Sequence, residues 1–361
     1  MTEKSTEFLY KYLNNASPTG FEASGQQIWL DYLKPYIDEQ IIDVYGTAVG
    51  VINAGGSAAN KDYKVVIEAH SDEIAWFVNY INDQGYIYVR RNGGSDAAIA
   101  PSMRVNLHTA NGPVAGVFGW PAIHVRDVAK DQVPQVHDLF IDVGAANKEE
   151  VEKMGIHVGT VVTFADGLME MNQRYYVGRA LDNRVGGFMI AEVARMLREN
   201  KVELPFTLYV VNAVQEEIGL RGAEMISRRL KPDLAIVTDV THDTQSPMYT
   251  KTKQGDLKCG SGPVLCYGPA VQNNVRDHII KVAQEKEIPF QRQAVSRSTG
   301  TDTDSFAYSA EGVASALISL PLKYMHTTIE TVHKDDVQNV IKLMYETLLS
   351  LKGDEDFRYI K

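Results

Sequence analysis

After Gly178 the chain alternates helical stretches with apolar, β-branched runs, and this alternation restricts the fold more than any other feature of the sequence. A helical pattern near residues 184–199 leads to FTLYVVNA, a helix near 222–230 leads to LAIVTD, and helix, strand and helix follow toward the C terminus. Such a succession predicts a mainly parallel sheet with right-handed crossovers. The run VVIEA at 65–69 is apolar enough to lie inside a sheet covered on both faces, and IIDV and VGVI before it are short and β-branched. These N-terminal strands are expected to join the same sheet. Two helical stretches precede them, from Thr6 to about Asn14 and on to about Tyr36, with SPTGFE at 17–22 breaking the pattern.

Between about Ile74 and Asp166 the texture changes to short β-like runs, such as YIYVR, VNLHT, VAGVFG, LFIDVG and VVTFA, punctuated by Gly and Asn. One helical turn or two is expected at NKEEVEKMG, with Asn147 as N-cap and Glu150 at capping-box spacing. The expected architecture is therefore α/β: a mainly parallel central sheet flanked by helices, built from residues 1–73 and 167–361, with a small β-rich, barrel-like domain inserted at 74–166. A chain of 361 residues is long enough for both.

The formal charge of −10 leaves no concentrated basic face for nucleic acid or an anionic membrane. No apolar run approaches the roughly 20 residues that span a bilayer, and MTEKSTEFLYKYL lacks the apolar core of a secretory signal, so a cytoplasmic location is expected. Cys259 and Cys266 lack the spacing of a zinc ribbon or redox pair and are read as buried free thiols.

Metal-competent side chains fall at strand ends: His70 after VVIEA, Glu216 and Glu217 after LYVVNAV, Asp239 after LAIVT, and His326 beyond ASALISL. Open α/β sheets bind ligands in the crevice outside the C-terminal ends of their strands, so segments spread over the sequence converge there. Asp182, in GRALDNRVGG just before a helix, fits the same crevice. Two histidines and three carboxylates suit a pair of divalent ions with one carboxylate, Asp182, bridging them. Asp72 is placed to accept a hydrogen bond from the free nitrogen of His70 and so fix its tautomer. Of the adjacent pair Glu216 and Glu217, one binds metal and its neighbour takes the proton of the attacking water; chemistry alone does not choose between them. No GxSxG elbow is present. His108, His124, His137, His157, His242, His278 and His333 are read as ordinary surface or hydrogen-bonded histidines. In GTDTDS (300–305), Thr301 and Asp302 are candidate substrate contacts, although a turn held by Asp and Thr side chains explains the loop as well.

SPTGFE (17–22), EAHSDEI (68–74), VGTVVTF (158–164), GRALDNRVGG (178–187), QEEIGLRGA (215–223), VTD (237–239), GTD (300–302) and YMHTTIE (324–330) run nearly end to end. Through them the chain resembles the glutamyl and deblocking aminopeptidases, the TET-type peptidases, some of which carry the label of CelM-type endoglucanases. The resemblance implies a di-zinc peptidase-like fold in which His70, Asp182 and Asp239 bind one ion and Asp182, Glu217 and His326 the other, with Glu216 as general base and Asp72 orienting His70. It implies zinc, with cobalt or manganese as alternatives. It also implies short peptides as substrates, a β-rich dimerisation insert, and homo-oligomers that are often tetrahedral dodecamers. Two positions depart from the pattern: Ala75 followed by Trp76 where Gly is common after HxDEI, and Gly46-Thr47 where a GN pair is usual. The activity this implies is removal of N-terminal residues by a metal-bridging water. The alternatives are a deacylase or amidohydrolase on the same centre, a glycoside hydrolase and a non-catalytic homologue.

Overall fold

Val65, Val66, Ile67 and Ala69 are completely buried, and the strand that carries them lies in the middle of the fold. The computed structural model of the chain describes residues 1–57, 59–127 and 132–360. Helices α1 (Glu3–Asn14) and α2 (Ala23–Leu33) precede strands β1 (Glu39–Ile42), β2 (Ala48–Ile52) and β3 (Asn60–His70). A barrel follows, from β4 (Ala75–Ile81), β5 (Ile87–Asn92), β6 (Arg104–Thr109), β7 (Gly112–Phe118), β8 (Phe140–Asp142) and, after α3 (Lys148–Lys153), β9 (Val161–Phe164). The chain then returns to the sheet through β10 (Met169–Met171), β11 (Tyr175–Gly178), α4 (Leu181–Glu199), β12 (Phe206–Ala213), α5 (Arg221–Leu230) and β13 (Leu234–His242). It ends with α6 (Lys251–Gln254), β14 (Val264–Tyr267), α7 (Asn273–Glu285), β15 (Gln291–Ala294), α8 (Asp302–Ala307), β16 (Ala314–Lys323), β17 (Glu330–His333) and α9 (Lys334–Ser350).

Among the described residues eleven strands form one mixed sheet, with the order β1-β2-β12-β3-β13-β16-β17-β11-β10 and β14 and β15 branching from β16. Parallel pairing joins β12, β3, β13 and β16. The flanking strands add antiparallel on both sides, except that β15 runs parallel to β14. The parallel part is thus the buried middle of the sheet, which is the part that long apolar runs encode.

Helix α4 packs on β3 and against α1, α2 and α9, and its apolar residues are buried around nearly its whole circumference. A Cβ at Gly186 would lie 2.8 Å from the Cβ of Ala69, so glycine lets the helix lie directly on β3. Regular helical geometry begins only after Asn183, which leaves Asp182 in a non-helical turn beside the end of β3. Arg184, fully buried, donates to the carbonyls of Tyr12 and Asn15 and ties α1 to the same region.

The barrel has its own core, in which Trp76 meets Phe118 edge to face with ring centroids 5.5 Å apart. Trp76 therefore faces barrel packing, Ala75 is buried beside it on β4, and Thr47 is buried beside α5. At α3 the Asn147 side chain accepts from Glu150 N as expected, but the Glu150 carboxylate accepts from Ala146 N, one residue before the cap. Both cysteines are free and buried. Among the described residues no helix is long and apolar enough to cross a membrane.

Candidate metal centre

Each candidate side chain arrives on a different segment. His70 closes β3, Asp239 lies on β13, and Glu216 and Glu217 open a short 3-10 turn after β12. Asp182 lies in the non-helical turn at the start of α4, and His326 stands just beyond β16. They meet at the C-terminal edge of the parallel strands. Asp182 lies between the two histidines, with Oδ1 3.2 Å from His70 Nε2 and Oδ2 3.3 Å from His326 Nε2. Asp239 Oδ1 is 3.8 Å from His70 Nε2, and Glu217 Oε2 is 3.4 Å from His326 Nε2. Glu216 Oε2 is 3.9 Å from His70 Nε2. His70, Asp182 and Glu217 each offer a ligand atom within 4.8 Å of one another.

So many carboxylates in so little water need positive charge. Burial pushes Glu216 up to about 10, against the pull of His70 and with the help of Asp239, Asp302 and Glu217. Burial likewise raises Asp239 to about 7. Burial works against protonation of His326, yet Asp182 and Glu217 raise it to about 11. Burial also opposes ionisation of Asp182, but the two histidines hold its carboxyl well below the usual range. Among the described residues no lysine or arginine lines this cleft. A mixed imidazole and carboxylate set with a shared central carboxylate has the donor chemistry of borderline-hard divalent cations. The residues present fit such a pair.

Residues 50–343 match the model of the M42 glutamyl aminopeptidase family. The chain belongs to that family. It is 34% identical over 349 residues to a lysyl aminopeptidase of Pyrococcus furiosus, covering 96% of this chain and 97% of that one. Its fold superposes with TM-score 0.90 and 29% identity on a TET aminopeptidase from a marine sediment thaumarchaeon, covering 97% and 98% of the two chains. A third similarity is to the TET1 peptidase of Pyrococcus horikoshii, which assembles into a tetrahedron or a large octahedral shell, at TM-score 0.84 and 26% identity over 96% and 100%. This M42 protein is a hydrolase of peptide bonds.

Several residues around the M42 site act through the backbone. Asp72 Oδ1 lies 3.5 Å from His70 Nδ1, beside the ring it is expected to orient, and its own carbonyl is at 3.2 Å from the same nitrogen. Its carboxylate also accepts from Glu216 N at 2.9 Å, Glu217 N at 3.2 Å and Thr19 Oγ1 at 2.9 Å. Asp72 thus fixes the turn carrying both glutamates, and Thr19 of SPTGFE fixes Asp72. Glu330 was not singled out from the sequence, although it ends YMHTTIE. Its buried carboxylate accepts from Asp182 N at 2.9 Å and His326 N at 2.8 Å, holding the backbone of both residues.

The barrel also reaches the site. A Cβ at Gly94, in the loop after β5, would lie 2.5 Å from His326 Nδ1, so only glycine leaves room for the ring. Gly94→Ala should displace His326 and, if that ring holds one of two cations, weaken that site by about 10–100-fold. Titration of the metal-free protein with zinc checks this: one weakened step beside one unchanged step is expected, and two unchanged steps would refute the role.

The cleft above the cluster has a volume of about 610 Å³, within the range of small-ligand sites. Thr301, the N-cap of α8, lines it. Asp302 does not: its carboxyl is buried near Glu68, where burial and that neighbouring acid push it well above the carboxylate range. Asp304 lines the cleft in its place. His242 and Cys266 also line it, and burial raises the Cys266 thiol to about 11, so it is no nucleophile. Neither Ala75, Trp76 nor Thr47 takes part in the cleft wall.

Proposed function

We propose that this M42 peptidase removes N-terminal residues from short peptides with the aid of two divalent cations. The observation that carries this reading is the position of Asp182, one oxygen toward His70 and the other toward His326. His70, Asp182 and Asp239 would hold one cation, and Asp182, Glu217 and His326 the other, with zinc as the first choice and cobalt or manganese as alternatives. When bound, such ions polarise a carbonyl oxygen and bring the pKa of water down to about 7.

Glu216 is the general base, taking the proton of the attacking water on its carboxylate and delivering it to the departing amine nitrogen. Asp72 keeps Glu216 aimed by binding its backbone N–H, and Glu330 does the same for Asp182 and His326. Thr301 is placed to touch the peptide, and Asp304 organises its loop. We assign catalysis to residues 1–73 and 167–361 and subunit contacts to 74–166. In view of the shells formed by the Pyrococcus horikoshii relative, a dimer-based homo-oligomer is expected, with a sedimentation mass that is an even multiple of the chain.

The activity test uses metal-stripped protein reconstituted with zinc, cobalt or manganese. Unblocked aminoacyl p-nitroanilides and tripeptides should be cleaved, and their N-acetyl forms should survive. Cleavage of the blocked forms alone would make the protein a deacylase, and no cleavage of either would end the hydrolytic assignment of the cluster.

A further inference from the structure

We propose that Asn92, a residue of the inserted barrel, is a positioning residue for Glu216 and acts through Thr19 and Asp72; the proposal rests on the reading above in which Glu216 is the general base. Asn92 ends β5 and pairs in register with Ala75 at the start of β4. Its buried amide crosses from the barrel to the N-terminal segment, donating to the Thr19 carbonyl at 2.8 Å.

Thr19 is fixed from both sides. Its carbonyl receives Asn92, its own N–H donates to the Glu73 carbonyl at 3.1 Å, and its hydroxyl donates to Asp72 Oδ2 at 2.9 Å. Asp72 Oδ2 also accepts from Glu217 N at 3.2 Å, and Oδ1 accepts from Glu216 N at 2.9 Å. A continuous chain of hydrogen bonds therefore runs from the barrel to the turn that carries the base.

This chain matters more for Glu216 than for its neighbour. The Glu217 carboxylate has His326 Nε2 at 3.4 Å, and the barrel loop backs the residue directly: a Cβ at Gly93 would lie 3.1 Å from the Cβ of Glu217. Ser95 anchors that loop by donating to the Ala75 carbonyl at 2.6 Å. The Glu216 carboxylate accepts no hydrogen bond from the described residues, and His70 Nε2 is 3.9 Å away. The backbone thus sets where Glu216 points, and misplacing a reacting group by about 1 Å costs about 10²-fold in rate.

Asn92→Ala removes the donor. In the cation-loaded variant, kcat on a leucyl p-nitroanilide should fall about 10–100-fold, with KM little changed and the cation content of the parent retained. Hydrogen–deuterium exchange of the metal-free protein reads the same hold without turnover: residues 214–220 should exchange about tenfold faster than in the parent, while β3 and β13 keep their protection. In the Glu216→Gln background the substitution should change kcat by less than about twofold, because no base is left to aim, whereas a general loosening of the fold would lower both backgrounds alike. Unchanged kcat, unchanged exchange at 214–220, or equal losses in the two backgrounds overturns the proposal. So does loss of a cation, which would make Asn92 a support of Glu217. If Asn92→Ala does not fold, Thr19→Val is read in its place, since it keeps both backbone hydrogen bonds and removes only the hydroxyl to Asp72; exchange at 214–220 equal to that of the parent then overturns the relay. Each of these results removes the proposal alone. Equal turnover by the parent and Glu216→Gln removes the general-base reading and the proposal together.

Discussion

Replacing Glu216 with glutamine is expected to lower kcat by about 10²–10⁴-fold, the usual contribution of a positioned acid or base, while both cations stay bound. The amide keeps the size of the carboxylate and leaves the backbone N–H to Asp72 intact, so the turn that also carries Glu217 is not disturbed. What is lost is a group that can receive a proton and return it. Metal content by mass spectrometry and kcat on a leucyl substrate are measured on the same preparation. Equal turnover in variant and parent would remove Glu216 from the mechanism. Lost activity with lost metal would make it a ligand instead.

The second large effect is expected from Asp182→Ala. Every other candidate ligand belongs to one cation, but Asp182 faces both histidines. Its removal should take the cation stoichiometry from two per chain toward zero and cost several kcal/mol of transition-state stabilisation, a loss of at least about 10³-fold in rate. Chelation supplies an independent check. A cation held at 100 times its dissociation constant stabilises the native state by about 2.7 kcal/mol, so a chelator should lower the melting temperature of the parent and leave that of Asp182→Ala unmoved. If the variant retains both cations, the bridging assignment is wrong.

What could be read in the sequence follows from what buries its side chains. β3, β12, β13 and β16 are long, apolar and covered on both faces, so their runs stand out, and with them the strand ends that bear His70, Glu216 and Glu217, and His326. β10 is exposed at every residue and β15 only partly buried. Their pairing depends on neighbours rather than on any run of their own. Around the site, side chains that would touch metal were recognisable from residue type. Those that work through backbone hydrogen bonds or through empty space were not: Glu330 resembles any acidic residue at a strand start, and Gly94 any loop glycine, until His326 is brought against it. Asp302 fails in the other direction. Its motif suited a substrate contact or a turn held by Asp and Thr side chains, and at the start of α8 the side chain is buried.

The carboxylate of Asp182 joins two histidines that are 256 positions apart in the chain (326 − 70). Protein synthesis delivers N-terminal segments first, so a ribosome-bound chain that has made His70, Asp182, Glu217 and Asp239 still lacks one side of the centre. With the proposed two-cation centre, hydrolytic competence would be withheld until translation has passed His326 and β16 has entered the sheet beside β13. A half-made copy would then be inert, sparing the neighbouring nascent chains with their free amino termini.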